Sequence, residues 1–220
     1  MTRWLEEKRQ VLEAAQKMLQ QGLVVGTCGN VSLRLKPEGG RQLLAITPSS
    51  RYYDLLTAND IPVVDFEAQP VEGDLLPSME TRLHIAIYQA RRHIKAVIHS
   101  HPVFASAISV AGLDIPTIME DQAALIGGEI KLAKPAPSGS QKLVENTIAA
   151  LGDRNAVLLA NHGAVAVGQT MREAFIICQL VERTAKIYYL ALSLGKVNPL
   201  PAELEKAAGV CHRELQLPEN

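Results

Sequence analysis

Nothing in the 220-residue chain is an apolar run long enough to span a bilayer, and the opening Met1-Thr2-Arg3-Trp4-Leu5-Glu6-Glu7 lacks the apolar core of a secretory leader. These absences predict a cytoplasmic protein with no membrane partner. Charge of one sign is equally scarce: the formal net charge is -1 and the basic residues are dispersed, which argues against a nucleic-acid groove or a polybasic lipid patch. A small soluble molecule is the expected partner. Cysteine is limited to Cys28, Cys178 and Cys211, an odd, widely spaced set without a CxxC pair, so reduced thiols are expected rather than a disulfide framework. No internal repeat or linker divides the chain. With 47% hydrophobic residues it can bury a substantial core, and a single domain over 1–220 is expected, with 195–220 as a C-terminal tail.

What is present centres on residues 96–101, Ala-Val-Ile-His-Ser-His, a buried strand with two histidines at its polar end. Alternate strand residues point the same way, so His99 and His101 emerge on one face about 7 Å apart at the backbone, close enough for both rings to lean onto one metal ion. A solvated strand end carries such pairs by chance as well. Further on, the apolar run 156–160 stops at Asn161-His162-Gly163, which makes His162 a third candidate ligand or, alternatively, a satisfied core histidine.

The remaining chain alternates helical and strand patterns. Apolar spacing predicts an amphipathic helix over 4–21 closed by Gly22, then a glycine turn at Gly26-Thr27-Cys28-Gly29-Asn30 and a strand over 31–35. That turn can face an anion with its backbone amides, although an ordinary glycine turn is the stronger reading of these residues alone. Residues 43–46 form the second strand of a hairpin and end in Thr47-Pro48-Ser49-Ser50, a hydroxyl-rich turn suited to holding phosphate. Pro62 suggests an edge position for the strand over 61–65. Pro77-Ser78 starts a helix over 81–89 with Glu80 in its first turn, where a glutamate is often only a dipole partner, and with His84 as a packed or capping residue. Helices are expected over 102–110, 138–151 and 171–194, the last with Glu182 and Arg183 on its polar side. A short strand is expected over 115–118, an apolar segment follows the histidine turn over 164–168, and a short helix is expected over 202–208. Glu120 and Asp121 fit a cap and turn, or acid/base groups facing a cleft. The sequence does not decide between them.

Three neutral imidazoles leave a zinc-like ion its full charge and open positions, the condition for a catalytic site. A carboxylate is then needed to move a proton, and Glu80 is the natural candidate. With hydroxyl and glycine turns for a phosphate, these parts describe carbon–carbon bond cleavage in a sugar phosphate.

At this point the chain resembles the class II aldolase/adducin family, and within it the L-fuculose-1-phosphate aldolases. The motifs Gly-Thr-x-Gly-Asn-Val-Ser, Ile-Thr-Pro-Ser, Pro-Ser-x-Glu, His-x-His and x-His-Gly occur in the family's order, from the first helix to about Leu194. The resemblance implies an α/β fold, three-layer α/β/α with a mostly antiparallel central sheet, and a ring-shaped homotetramer with active sites between subunits. It implies one Zn2+ per subunit on His99, His101 and His162. Glu80 is implied as the acid/base that also approaches the metal, and Thr27, Gly29, Asn30, Ser49, Ser50 and Ser78 as the phosphate positions. The implied reaction is reversible cleavage of a ketose 1-phosphate to dihydroxyacetone phosphate and an aldehyde. Met79 stands where fuculose-phosphate aldolases have a second serine, Met119-Glu120-Asp121-Gln122 where they carry a tyrosine, and the tail offers no tyrosine. Glu120 matches a catalytic glutamate of methylthioribulose-1-phosphate dehydratases, which keeps a dehydratase open as an alternative, alongside a ribulose-phosphate 4-epimerase. An adducin-like scaffold would be expected to show eroded ligands, and all three histidines are present.

Overall fold

The computed structural model describes residues 3–215. Its first element, α1 (Leu5–Gln20), buries Val11, Leu12, Ala15 and Met18 on one face, as the sequence spacing predicts. The strands that follow are β1 (Asn30–Arg34), β2 (Leu43–Ile46), β3 (Val63–Asp65) and β4 (Pro70–Glu72). Then come α2 (Thr81–Ala90), β5 (Ala96–Ser100), α3 (Val103–Val110), a π-helical turn at Gln122–Ile126 and β6 (Leu132–Ala133). The chain continues through α4 (Gln141–Leu151), β7 (Ala156–Leu159), β8 (Gly163–Gly168), α5 (Met171–Ser193) and α6 (Ala202–Leu215).

All eight strands join one sheet in the order β4-β3-β2-β1-β5-β8-β7-β6. Only β6 and β7 run parallel; every other neighbouring pair is antiparallel. The sheet is therefore mostly antiparallel, and β5 lies near its middle, between β1 and β8. Side-chain alternation divides the core in two. Leu43, Ala45, Ala96 and Ile98 join the helical residues of α1, α3 and α5, whereas Leu44, Ile46 and Val97 join those of α2 and α4. Burial on both faces explains why β5 and β7 lack a polar alternate residue until β5 reaches His99.

Several expectations change. Pro62 does not mark an edge: β3 lies between β2 and β4, and Pro62, just before β3, meets β2 through its carbonyl alone, which accepts from Ile46 N at 3.1 Å. The edge on this side of the sheet is β4, which opens on Pro70. Residues 115–118 form no strand; one bridge pairs Ile115 with Ile130, and Pro116 cannot continue the donor pattern. Glu80 is the residue before α2 rather than part of its first turn, and its side chain makes no cap. The tail helix is longer than expected and docks on its own chain, where Thr117 Oγ1 donates to Glu205 Oε1 at 2.6 Å and buried His212 lies 3.3 Å from the Asp153 carbonyl. No helix among the described residues is long and apolar enough to cross a membrane.

Candidate active site

The register of the central strands assembles the site. Asn30 opens β1 directly opposite His99 near the end of β5, so the glycine turn and the histidine pair meet at one end of the sheet. That meeting requires Gly29: at φ 74° a side chain there would put its first carbon 2.6 Å from the His99 carbonyl oxygen. On the other flank, His162 sits in the tight turn joining β7 to β8, with Asn161 in the left-handed region at φ 56°. Gly163 closes this turn against β5, since an added carbon would lie 2.3 Å from the Ser100 carbonyl oxygen.

The three histidines converge, with one ligand nitrogen from each lying within 4.8 Å of the others. His99 Nδ1 donates to the Ala164 carbonyl at 3.0 Å, which turns Nε2 toward the site. His101 Nε2 is 2.8 Å from that nitrogen. Burial, then His99 and His162, push the His101 pKa down to about 3, and burial followed by His99 lowers that of His162. Both imidazoles are therefore neutral and able to ligate at ordinary pH.

Glu80 completes the group. Its Oε2 accepts from the Asn30 side-chain amide at 2.9 Å and lies 3.2 Å from His99 Nε2, while Oε1 is 3.8 Å from His162 Nε2 and has no hydrogen-bond partner. Burial raises the Glu80 pKa, but His99, the Asn30 amide and His162 outweigh it and hold the carboxylate below its ordinary value. A buried anion with an unsatisfied oxygen beside three lone-pair nitrogens fits a divalent cation. Beneath it, His84 is packed as expected: it is fully buried, bonded to Ser32 Oγ at 2.6 Å through Nδ1, and pushed to a pKa of about 3 by burial.

The predicted phosphate residues line the same cavity, of about 210 Å³. Thr27, Gly29, Asn30, Ser49, Ser50 and Ser78 surround it with Glu80 and the three histidines. Thr47 ties the turns together, since its Oγ1 accepts from Val31 N at 3.1 Å and its carbonyl from Ser78 N at 3.1 Å. Tyr53 Oη donates to the Gly29 carbonyl at 2.6 Å and braces the glycine turn. Ser78 Oγ accepts from Glu80 N at 3.2 Å, so one serine both lines the cavity and positions the acid.

Sequence reasoning did not single out Ser138 or Pro48, which also line the cavity; the signal for Ser138 was the Ser-Gly-Ser opening of α4. Met79 lines it too and is 75% exposed, an apolar side chain among hydroxyls. Glu120 is exposed and lies outside the cavity lining. Its neighbour Asp121 takes the cap role, accepting from Gln122 N at 3.0 Å and pairing with Arg183.

Residues 9–189 match the family model described as Class II Aldolase and Adducin N-terminal domain. The chain belongs to the class II aldolase/adducin family, and it is an enzyme of the aldolase kind. It is 36% identical over 199 residues to the L-fuculose phosphate aldolase of Escherichia coli K12, covering 90% of each chain. It is 31% identical over 204 residues to the 5-deoxy-D-ribulose 1-phosphate aldolase of Bacillus thuringiensis, covering 92% of this chain and 94% of that one. Among solved structures, an L-fuculose 1-phosphate aldolase superposes with a TM-score of 0.88 at 34% identity, covering 94% of this chain and 96% of the other.

Proposed function

We propose that the protein is a zinc-dependent aldolase that reversibly cleaves a ketose 1-phosphate to dihydroxyacetone phosphate and an aldehyde. The observation that carries this reading is the Glu80 carboxylate, held anionic by its neighbours 3.2 Å from His99 at the base of a hydroxyl-lined cavity. His99, His101 and His162 would hold the zinc, with Glu80 approaching it when substrate is absent. Bound there, zinc supplies Lewis-acid polarisation of the substrate's carbonyl and adjacent hydroxyl.

Glu80 does the proton work. In the synthetic direction it takes a proton from the hydroxymethyl carbon of dihydroxyacetone phosphate next to the carbonyl while the aldehyde oxygen gains one from solvent, and in cleavage that hydroxyl gives its proton back to solvent and Glu80 protonates the carbon whose bond has broken. Asn30 keeps the carboxylate aimed through its 2.9 Å bond. Thr27, Gly29, Asn30, Ser49, Ser50 and Ser78 bind the phosphate with hydroxyls, amide groups and backbone N–H donors, which fixes the reacting carbons beside Glu80.

The division of the core by the sheet supports the three-layer α/β/α arrangement. The reading also includes a homotetramer with active sites at subunit interfaces. Exposed Ile176, Tyr189, Leu190 and Leu194, on and just beyond α5, support burial against other copies. Glu120 is exposed and outside the lining of its own cavity, so in this reading a role for it on the aldehyde side requires such an interface. The names of the two relatives make L-fuculose 1-phosphate and 5-deoxyribulose 1-phosphate the first substrates to try. Incubation with these and with 5-methylthioribulose 1-phosphate, followed by assay for dihydroxyacetone phosphate, tests the reaction. An aldolase releases it from at least one; dehydration or epimerisation with no release of it rejects this reading.

A further inference from the structure

The polar side of α5 holds a carboxylate that the cavity does not use. Glu182 turns both oxygens toward the start of α3: Phe104 N–H donates to Oε1 and Oε2 at 3.0 and 3.1 Å, and Ala105 N–H donates to Oε2 at 2.9 Å. These are the second and third amides of the helix, the groups that an N-cap side chain ordinarily satisfies. Here the N-cap is Pro102, which has no side-chain acceptor. One turn earlier on α5, the Cys178 thiol donates to Ser100 Oγ at 3.2 Å. His101 lies between these two holds, and its own N–H donates to the Leu23 carbonyl at 2.9 Å.

We propose that Glu182 is a positioning residue for the metal ligand His101. One residue of restricted φ, Pro102, separates the histidine from α3, so fixing the first turn of the helix fixes the direction in which His101 leaves β5. A carboxylate suits this task better than a neutral cap, because its charge also opposes the positive end of the helix. Phe104 adds a second tether to α5 through its ring contact with Tyr189, centroids 5.6 Å apart. The ligand is thus oriented by a helix 78 positions away from its contact on α3, rather than by its own strand alone.

The inference rests on the metal reading of the histidines, and zinc binding measured by competition with a chelator separates the two. Glu182→Ala should weaken zinc binding about tenfold, the usual loss when support of a ligand is removed, and Glu182→Gln should weaken it less because an acceptor oxygen remains. Thr170→Ala serves as the control: it removes the α5 cap that accepts from Glu173 N at 3.1 Å, so it should lower the melting temperature of the metal-free protein while leaving zinc affinity within about twofold. Should the alanine variant fail to fold, Glu182→Gln carries the comparison. Unchanged zinc affinity in the Glu182 variants, or an equal loss in Thr170→Ala, overturns the inference while the metal reading stands. Wild-type protein that takes up no divalent metal overturns both.

Discussion

The two halves of the cavity are built differently. On the histidine side His99 is nearly fully buried on a central strand, its ring nitrogen tied to Ala164, and Glu80 is 7% exposed with Asn30 as partner. On the mouth side Met79 is 75% exposed, and the Ser49 and Ser50 hydroxyls lie 3.5 Å apart at the surface. The first region is over-determined by packing and the second is open to substitution. On the proposed reading, the acid and the ligands are held by buried contacts at the end of the sheet, whereas substrate choice falls to exposed turns that can change without disturbing the core.

The sharpest way to break this comparison is at the buried side. His99→Ala should abolish both metal content, measured by elemental analysis, and aldol activity; retention of full metal would remove His99 from the ligand set. Glu80→Gln comes next, with a loss of about 10²–10⁴ in kcat and near-normal metal content. Equal loss of both would make Glu80 chiefly a ligand.

Acid should act more gradually. The unfolded chain binds protons on its histidines near pH 6.5, but folded His84 and His101 hold them off to about 3, so the unfolded state binds more protons between these values. Stability contributed by these groups is present above pH 6.5 and is lost as pH falls below it; urea midpoints of metal-free protein should decline over that interval. A flat profile would mean that other groups compensate.

The smallest effect belongs to the mouth. Met79→Ser adds a hydroxyl at the rim and should lower KM for a ketose 1-phosphate a few-fold, about 0.5–1.5 kcal/mol, with kcat little changed. A large change in kcat would show that the mouth shares in the chemistry, and the contrast between the two sides would fail.

The same contrast explains what could be seen from the sequence. His99 and His101 were legible because a period of two puts them on one face, and His162 because it stops an apolar run. The hydroxyl turns around Ser49 and Ser78 were legible as turns, and the structure brings them to one cavity. The role of Glu182 was not, because it depends on α5 lying across the start of α3, a long-range contact without local periodicity. Pro62 misled for a related reason: at the start of a strand a proline can still pair through its carbonyl, and only strand order shows whether that strand is an edge. Residues 115–118 carried strand-forming side chains, but only Ile115 forms a bridge to another extended segment.

The pairing of Asn30 with His99 has a consequence for folding. A slip of one residue between β1 and β5 would send Asn30 to the opposite face and strip Glu80 of its partner, even though the backbone ladder would remain nearly as well bonded. On the proposed metal reading, uptake of a divalent ion reports strand register as well as ligand presence. During refolding, the moment at which zinc becomes tightly held should mark the arrival of the native alignment, later than the first appearance of sheet.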